Sequence, residues 1–244
     1  MKTDSLILTF KKIDFILTYE LDLYFNTKMK RKHCETTLVS LGEPKKVVLL
    51  GDGCIGKSTL FDKLNKLNDA DYKFPKKYKA TDNFDFNRIS VNTNSGVATI
   101  DIWDTAGQEN RGGKLRDAYL KGADGVLLLY DVTESKTKDN ISKWLKQINE
   151  ICPNIPVAVL GNKSDKFNNL QQSELVKIRD CNLQRDYGFN KIKNFMISIK
   201  ENTHLEFTSS YWSSSTSVSE KEGCLVGLEY ILDNLYNTTL SIDY

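Results

Sequence analysis

At 244 residues, 40% apolar and 27% charged, the chain has the composition of a soluble globular protein, long enough to bury a full core in one large domain or two small ones. A net charge of only +2 gives whole-molecule electrostatics no case for nucleic-acid binding. Five scattered cysteines (Cys34, Cys54, Cys152, Cys181, Cys224), with no C-x-x-C and only two histidines, cannot complete a zinc site and read as free thiols. The N-x-[ST] sequons at Asn140, Asn162 and Asn237 are read as chance matches.

The first stretch, "LILTFKKIDFILTYELDLYF" (6–25), is broken by Lys11, Lys12, Asp14, Glu20 and Asp22. It therefore holds no apolar run of the roughly 18 residues a membrane span needs, and no signal-peptide core. "KMKRKH" (28–33) fits either a solvated charged face or a nuclear import signal. Residues 1–44 are expected to be a poorly ordered extension, with Met29 an alternative start, and residues 45–244 the folded domain.

From Pro44 onward strand-like and helical patterns alternate. "KVVLL" precedes an amphipathic helix starting at Lys57. "RISV" and "VATIDIW" flank the turn-rich "NTNSG". "GVLLLY", the helical "NISKWLKQINEI", "VAVLGN" and "NFMISI" follow. The serine-rich "FTSSYWSSSTSVSEKEG" (207–223) is expected to be a loop insertion before the closing helix "LVGLEYILDNLYN". The order βαββαβαβα implies an α/β fold: a mostly parallel six-stranded sheet with one antiparallel edge strand and helices on both faces.

In such sheets ligands bind beyond the carboxyl ends of the strands. After the first strand comes "GDGCIGKS", which fits G-x-x-x-x-G-K-[ST] between a strand and a helix, the pattern of a P-loop NTPase. Glycines permit positive φ and close approach, so the N–H groups of Gly51, Asp52, Gly53, Cys54, Ile55 and Gly56 can turn toward phosphate oxygens. Those of Lys57, Ser58 and Thr59 continue the cradle at the positive end of the helix. Lys57 supplies charge to the outer phosphates and Ser58 a hydroxyl ligand for Mg²⁺.

"GDGCIGKS", "WDTAGQE" and "GNKSD", in that order and each at the end of a strand, make residues 45–237 resemble the Ras-like small GTPases. The resemblance implies GTP and GDP as ligands, Mg²⁺ as cofactor and hydrolysis of GTP to GDP and phosphate at a slow intrinsic rate. Asp104 would reach Mg²⁺ through water, the Gly107 N–H would meet the γ-phosphate, and Gln108 would orient the attacking water. Asp165 would accept from guanine N1–H and its 2-amino group, Asn162 would bond N7, and the Lys163 stem would cover a ring face. In "SIK", Ser198 and the Ile199 N–H would lie near the base carbonyl, with Lys200 packing behind. In "YKFPKKYKATDNF", Phe74 would flank the guanine, Tyr78 would lid the phosphates, and Thr81 would give Mg²⁺ a second hydroxyl. Catalysis would then rest on Gln108, Lys57 and Tyr78.

"KKYKAT", "NTNSG", "DTAGQENRGGKLRDAY" and "CPNIPVAVLGNKSD" are most similar to the Ran branch of that family, the GTPases of nuclear transport. This implies a monomer in nucleus and cytoplasm. Its partners would be transport receptors, an exchange factor and a GTPase-activating protein, with no direct contact to nucleic acid. The end "TTLSIDY" offers no cysteine to prenylate and the start no Met-Gly, so no lipid anchor is expected. Asn83, Arg111 and Lys114 depart from the branch's pattern, "KFNNLQQSE" lacks its basic character, and its acidic tail and linker helix are absent. The alternatives are a Rab-like or unassigned GTPase of trafficking or signalling, and a nucleotide-binding scaffold with negligible turnover.

Overall fold

The computed structural model describes residues 39–67, 84–105, 113–169, 188–206 and 223–239. Most of the N-terminal extension and of the serine-rich insertion lies outside them. The strands are β1 (Lys45–Leu50), β2 (Phe84–Thr93), β3 (Gly96–Thr105), β4 (Gly125–Asp131), β5 (Val157–Asn162), β6 (Ile192–Ser198) and β7 (Thr203–Glu206). The helices are α1 (Lys57–Asn65), α2 (Gly113–Leu120), α3 (Ser135–Asp139), α4 (Ile141–Ile151) and α5 (Val226–Tyr236).

One sheet runs in the order β2-β3-β1-β4-β5-β6-β7. β1 pairs in parallel with β3 and β4, β4 with β5, and β5 with β6. The expected six strands and their antiparallel edge β2 are present. A seventh, β7, extends the sheet antiparallel to β6. Four residues, "THLE", carry too little pattern to announce a strand. The turn before it closes on Asn202, whose φ of 55° is left-handed, a conformation asparagine tolerates.

Strict alternation in the central strands divides the interior into two layers. Val47, Leu49, Leu127, Leu129 and Leu160 pack against α1 and α5 through Leu60, Phe61, Leu64, Leu228, Ile231 and Leu232. Val48, Leu50, Leu128, Tyr130 and Val159 pack against α4 through Ile141, Trp144, Leu145 and Ile148. β4 and β5 are buried along their whole length, as strands covered on both faces must be. Their continuous apolar runs follow from that double cover.

The β2–β3 hairpin is held at its tip from both sides. The Val39 carbonyl accepts from Val97 N–H and the Leu41 N–H donates to the Val97 carbonyl, each at 2.9 Å, so residues 39–41 lie along β3. Gly96, at φ 146°, is where any side chain would run into the Val39 carbonyl. From the other end, Asn94 N–H donates to the Thr239 carbonyl at 3.0 Å and the Thr238 hydroxyl to Asn94 Oδ1 at 2.5 Å. Among the described residues no helix is long and apolar enough to cross a membrane.

Candidate functional site

The carboxyl ends of β1, β3, β4, β5 and β6 meet where the sequence motifs stand. Leaving β1, the chain turns at Gly51, whose φ of 131° and close approach to the Leu129 carbonyl and Ile55 leave no room for a side chain. It re-enters helix at Gly56, φ 104°, where a Cβ would meet the Asn162 amide. Glycine at these two positions lets the loop close tightly around whatever its N–H groups bind.

Lys57 folds back over this loop. Its Nζ donates to the Gly51 carbonyl at 3.0 Å and the Asp52 carbonyl at 2.5 Å. Only 6% of the residue is exposed, and burial pulls its pKa down to about 8 against the opposing pull of Asp104, Asp52 and Cys54. A desolvated ammonium held by two carbonyls gains from an anion placed at the loop's mouth, and phosphate supplies one.

Asp52 and Cys54 contribute differently. The Asp52 carboxylate is turned into the protein, Oδ2 accepting from Asn140 Nδ2 at 2.8 Å and Oδ1 from Trp144 Nε1 at 3.0 Å. Only its backbone is left for a ligand. Cys54 is exposed, sits at φ 60°, and offers its carbonyl to Lys163 Nζ at 3.1 Å. Asn140 and Asn162 are both buried, so two of the three sequons cannot accept a glycan in this fold.

Ser58 occupies the first turn of α1. Asp104, 1% exposed, stands next to last in β3 opposite Leu49, and the hydroxyl of the last residue, Thr105, donates to the Leu49 carbonyl at 2.7 Å, locking that register. One hydroxyl and one carboxylate are hard oxygen donors that suit Mg²⁺. Among the described residues no three His, Cys, Asp or Glu side chains gather into a cage. A nucleotide-bound Mg²⁺ is usually held by one or two protein ligands together with phosphates and water. Phe74, Tyr78, Thr81, Gly107 and Gln108 lie outside the described residues.

Asn162 bridges two loops, donating from Nδ2 to the Ile55 carbonyl at 2.9 Å and accepting at Oδ1 from Ile199 N–H at 3.2 Å. That N–H was expected to face a base carbonyl; here it is given to Asn162. The Ile199 side chain is buried in the core beside α1, so its bulk is accommodated. The Ser198 hydroxyl donates to Asp165 Oδ1 at 2.7 Å and accepts from Glu201 N–H at 3.1 Å. Half-buried Asp165 is thereby oriented. Lys200 does not pack behind the site: its ammonium lies at the surface, 2.6 Å from Glu201 Oε1.

Lys163, at φ 67°, donates to Asp131 Oδ2 at 2.5 Å as well as to Cys54. Burial pushes the Asp131 carboxyl up, but the hydrogen bonds from Lys163 and from the Thr133 hydroxyl and N–H outweigh it and hold the group below the usual carboxylate range. Asp131, Asn140 and Trp144 were not named from the sequence as site residues. Asp131 had a legible signal, being the residue that ends an entirely apolar strand on the ligand side of the sheet.

A glycine-formed phosphate cradle with a buried lysine, beside an Asn-Lys-x-Asp loop that presents an oriented carboxylate, defines a P-loop protein built to hold a nucleotide at both its phosphates and its base. The family model described as Ras family matches residues 46–210, well over half of the chain, and the chain belongs to that family. It is a small GTPase switch whose family binds GTP and GDP with Mg²⁺ and works with exchange factors and GTPase-activating proteins. The bound ion and nucleotide would be held by Ser58, Asp104, the loop N–H groups and Lys57. When bound, Mg²⁺ neutralises charge developing on the phosphoryl oxygens.

Proposed function

We propose that this GTPase is a switch of nucleocytoplasmic transport, loading and unloading transport receptors according to whether GTP or GDP is bound. The observation that supports this reading is the unbroken stretch "CPNIPVAVLGNKSD" (152–165), which is similar to the Ran branch and runs from the exit of α4 through β5 into the base-recognition loop. Nuclear and cytoplasmic residence, and a slow intrinsic turnover, belong to the same reading. The test is retention from nuclear extract on protein loaded with a non-hydrolysable GTP analogue or with GDP. Transport receptors held by the GTP form alone are the expected result; their absence from both forms overturns the proposal.

A second reading, a switch of trafficking or signalling, is favoured by the outer face of β2–β3. Phe84 and Phe86 are 46% and 43% exposed, and both rings lie on Trp103 with centroids 5.4 and 5.2 Å away. Tyr119 closes the group and Lys46 Nζ stands 4.5 Å from the Trp103 ring centre. Exposed, clustered aromatics of this kind suit an apolar partner. Retention of vesicle-associated proteins in place of transport receptors selects this reading.

A further inference from the structure

In the phosphate loop, Asp52 carries a carboxylate that is buried and faces away from the loop's mouth, into the wall formed by α4. Each oxygen meets one neutral donor, the Asn140 amide at the N-cap of α4 and the Trp144 indole one turn on. The Lys143 ammonium donates to Asn140 Oδ1 at 2.8 Å, which leaves the amide N–H₂ edge turned toward Asp52. Trp144, 6% exposed, is fixed in the apolar layer under the sheet, so its N–H is presented from a rigid support.

The backbone of the same residue does something else: the Asp52 carbonyl is the shorter of the two contacts that hold the Lys57 ammonium. Asp52 stands between Gly51 and Gly53, the two residues least able to hold a peptide in one orientation by themselves. The side-chain anchor supplies that orientation. A second tie acts two residues on, where Lys163 joins the Cys54 carbonyl to Asp131 at the end of β4.

We propose that Asn140 and Trp144 are positioning residues for the phosphate loop: by gripping the Asp52 carboxylate they fix the peptide that aims Lys57 at the β-phosphate, and so α4 sets how long a guanine nucleotide stays bound. The inference rests on the nucleotide binding of the Ras family and is independent of the transport reading, which can fail in extract without touching it.

The experiment measures release of a fluorescent GDP from the full chain in Mg²⁺, and equilibrium affinities for GDP and for GMP, in Asn140→Ala, Trp144→Phe, Asp52→Ala and the two double variants containing Asp52→Ala. Loss of one hydrogen bond to a buried carboxylate is expected to speed GDP release about tenfold in each of the first two variants. GMP, which has no β-phosphate, is expected to keep its affinity within about twofold, whereas a general loss of stability would weaken both ligands together. Either substitution added to Asp52→Ala is expected to change release no further, because both act through that carboxylate. Trp144→Phe keeps a buried aromatic ring while removing the N–H donor and some core volume; the GMP comparison separates the general cost of that lost volume from the loss of the donor, so this variant carries the test if Asn140→Ala does not fold. Parental release rates in the single variants, equal losses for GDP and GMP, or further acceleration in the Asp52→Ala background overturn the proposal.

Discussion

The Ser198 hydroxyl donates to Asp165 Oδ1 at 2.7 Å and so orients the carboxylate that is expected to accept from guanine. Replacing Asp165 with Asn lets the amide oxygen keep the Ser198 bond and turns an N–H₂ group outward. Guanine then meets a donor where it needs an acceptor, while xanthine, with a carbonyl at C2, gains a partner. Guanine nucleotide affinity is expected to fall about 100-fold or more, with preference shifting to xanthine nucleotides. Competition between GDP and XDP measures it, and undiminished GDP affinity would remove Asp165 from the base pocket.

Ser58→Asn takes a hydroxyl from the first turn of α1 that the Mg²⁺ site would use more fully with GTP than with GDP. The variant is expected to favour GDP or the empty state by about tenfold or more over the parent. Paired affinity measurements in Mg²⁺ and in chelator test this. The bias should vanish in chelator, and its absence in Mg²⁺ contradicts metal ligation by Ser58.

Gln108→Leu is expected to retain GTP binding and lose most hydrolysis stimulated by an activating protein. Phosphoryl transfer here asks the protein for charge neutralisation and a positioned water, and the stimulated rate exceeds the intrinsic one by up to about 10⁵ in the family's reference member. Single-turnover hydrolysis with and without the activating protein decides it. Stimulation at the parental rate would exclude Gln108 from orienting the water.

The ion pair between Lys163 and Asp131 predicts a pH dependence of stability. The Asp131 carboxyl titrates below its ordinary value in the folded protein, so its contribution is complete above the unfolded value of about 3.9 and disappears as pH falls through the depressed folded value. Asp131→Asn is therefore expected to be less stable than the parent by about 1 to 2 kcal/mol at neutral pH, with the gap closing in strong acid. Urea unfolding at a series of pH values tests the sign. A gap that widens on acidification contradicts it.

The glycine pattern from Gly51 to Gly56 was legible because loop geometry is written in residues whose backbone freedom is unique, and β1, β4 and β5 because doubly covered strands need uninterrupted apolar runs. The partners of Asp52 were not legible. Asn140 and Trp144 stand 88 and 92 residues further along the chain, and the helical pattern of "NISKWLKQINEI" says nothing of where the Trp144 N–H points. The polar partners of Lys200 and of the Ile199 N–H were hidden for a related reason. Their expected places follow from a motif, whereas their protein partners, Glu201 and Asn162, are seen only in the folded chain. Local pattern specifies elements; polar pairing across them depends on neighbours that only the folded chain brings together.

The clasp on the β2–β3 hairpin has a consequence for synthesis. Asn94 and Gly96 leave the ribosome early, yet Asn94 acquires its partners Thr238 and Thr239 only after some 144 further residues have been made. Until then Asn94 Oδ1 has the adjacent Ser95 hydroxyl, at 3.1 Å, while its N–H is left to water, and β3 is held at this end by β2 and by residues 39–41. Domain folding during translation proceeds from the amino-terminal side. The central sheet can therefore assemble first, and the hairpin tip is fastened as one of the last events, by residues that follow the final helix.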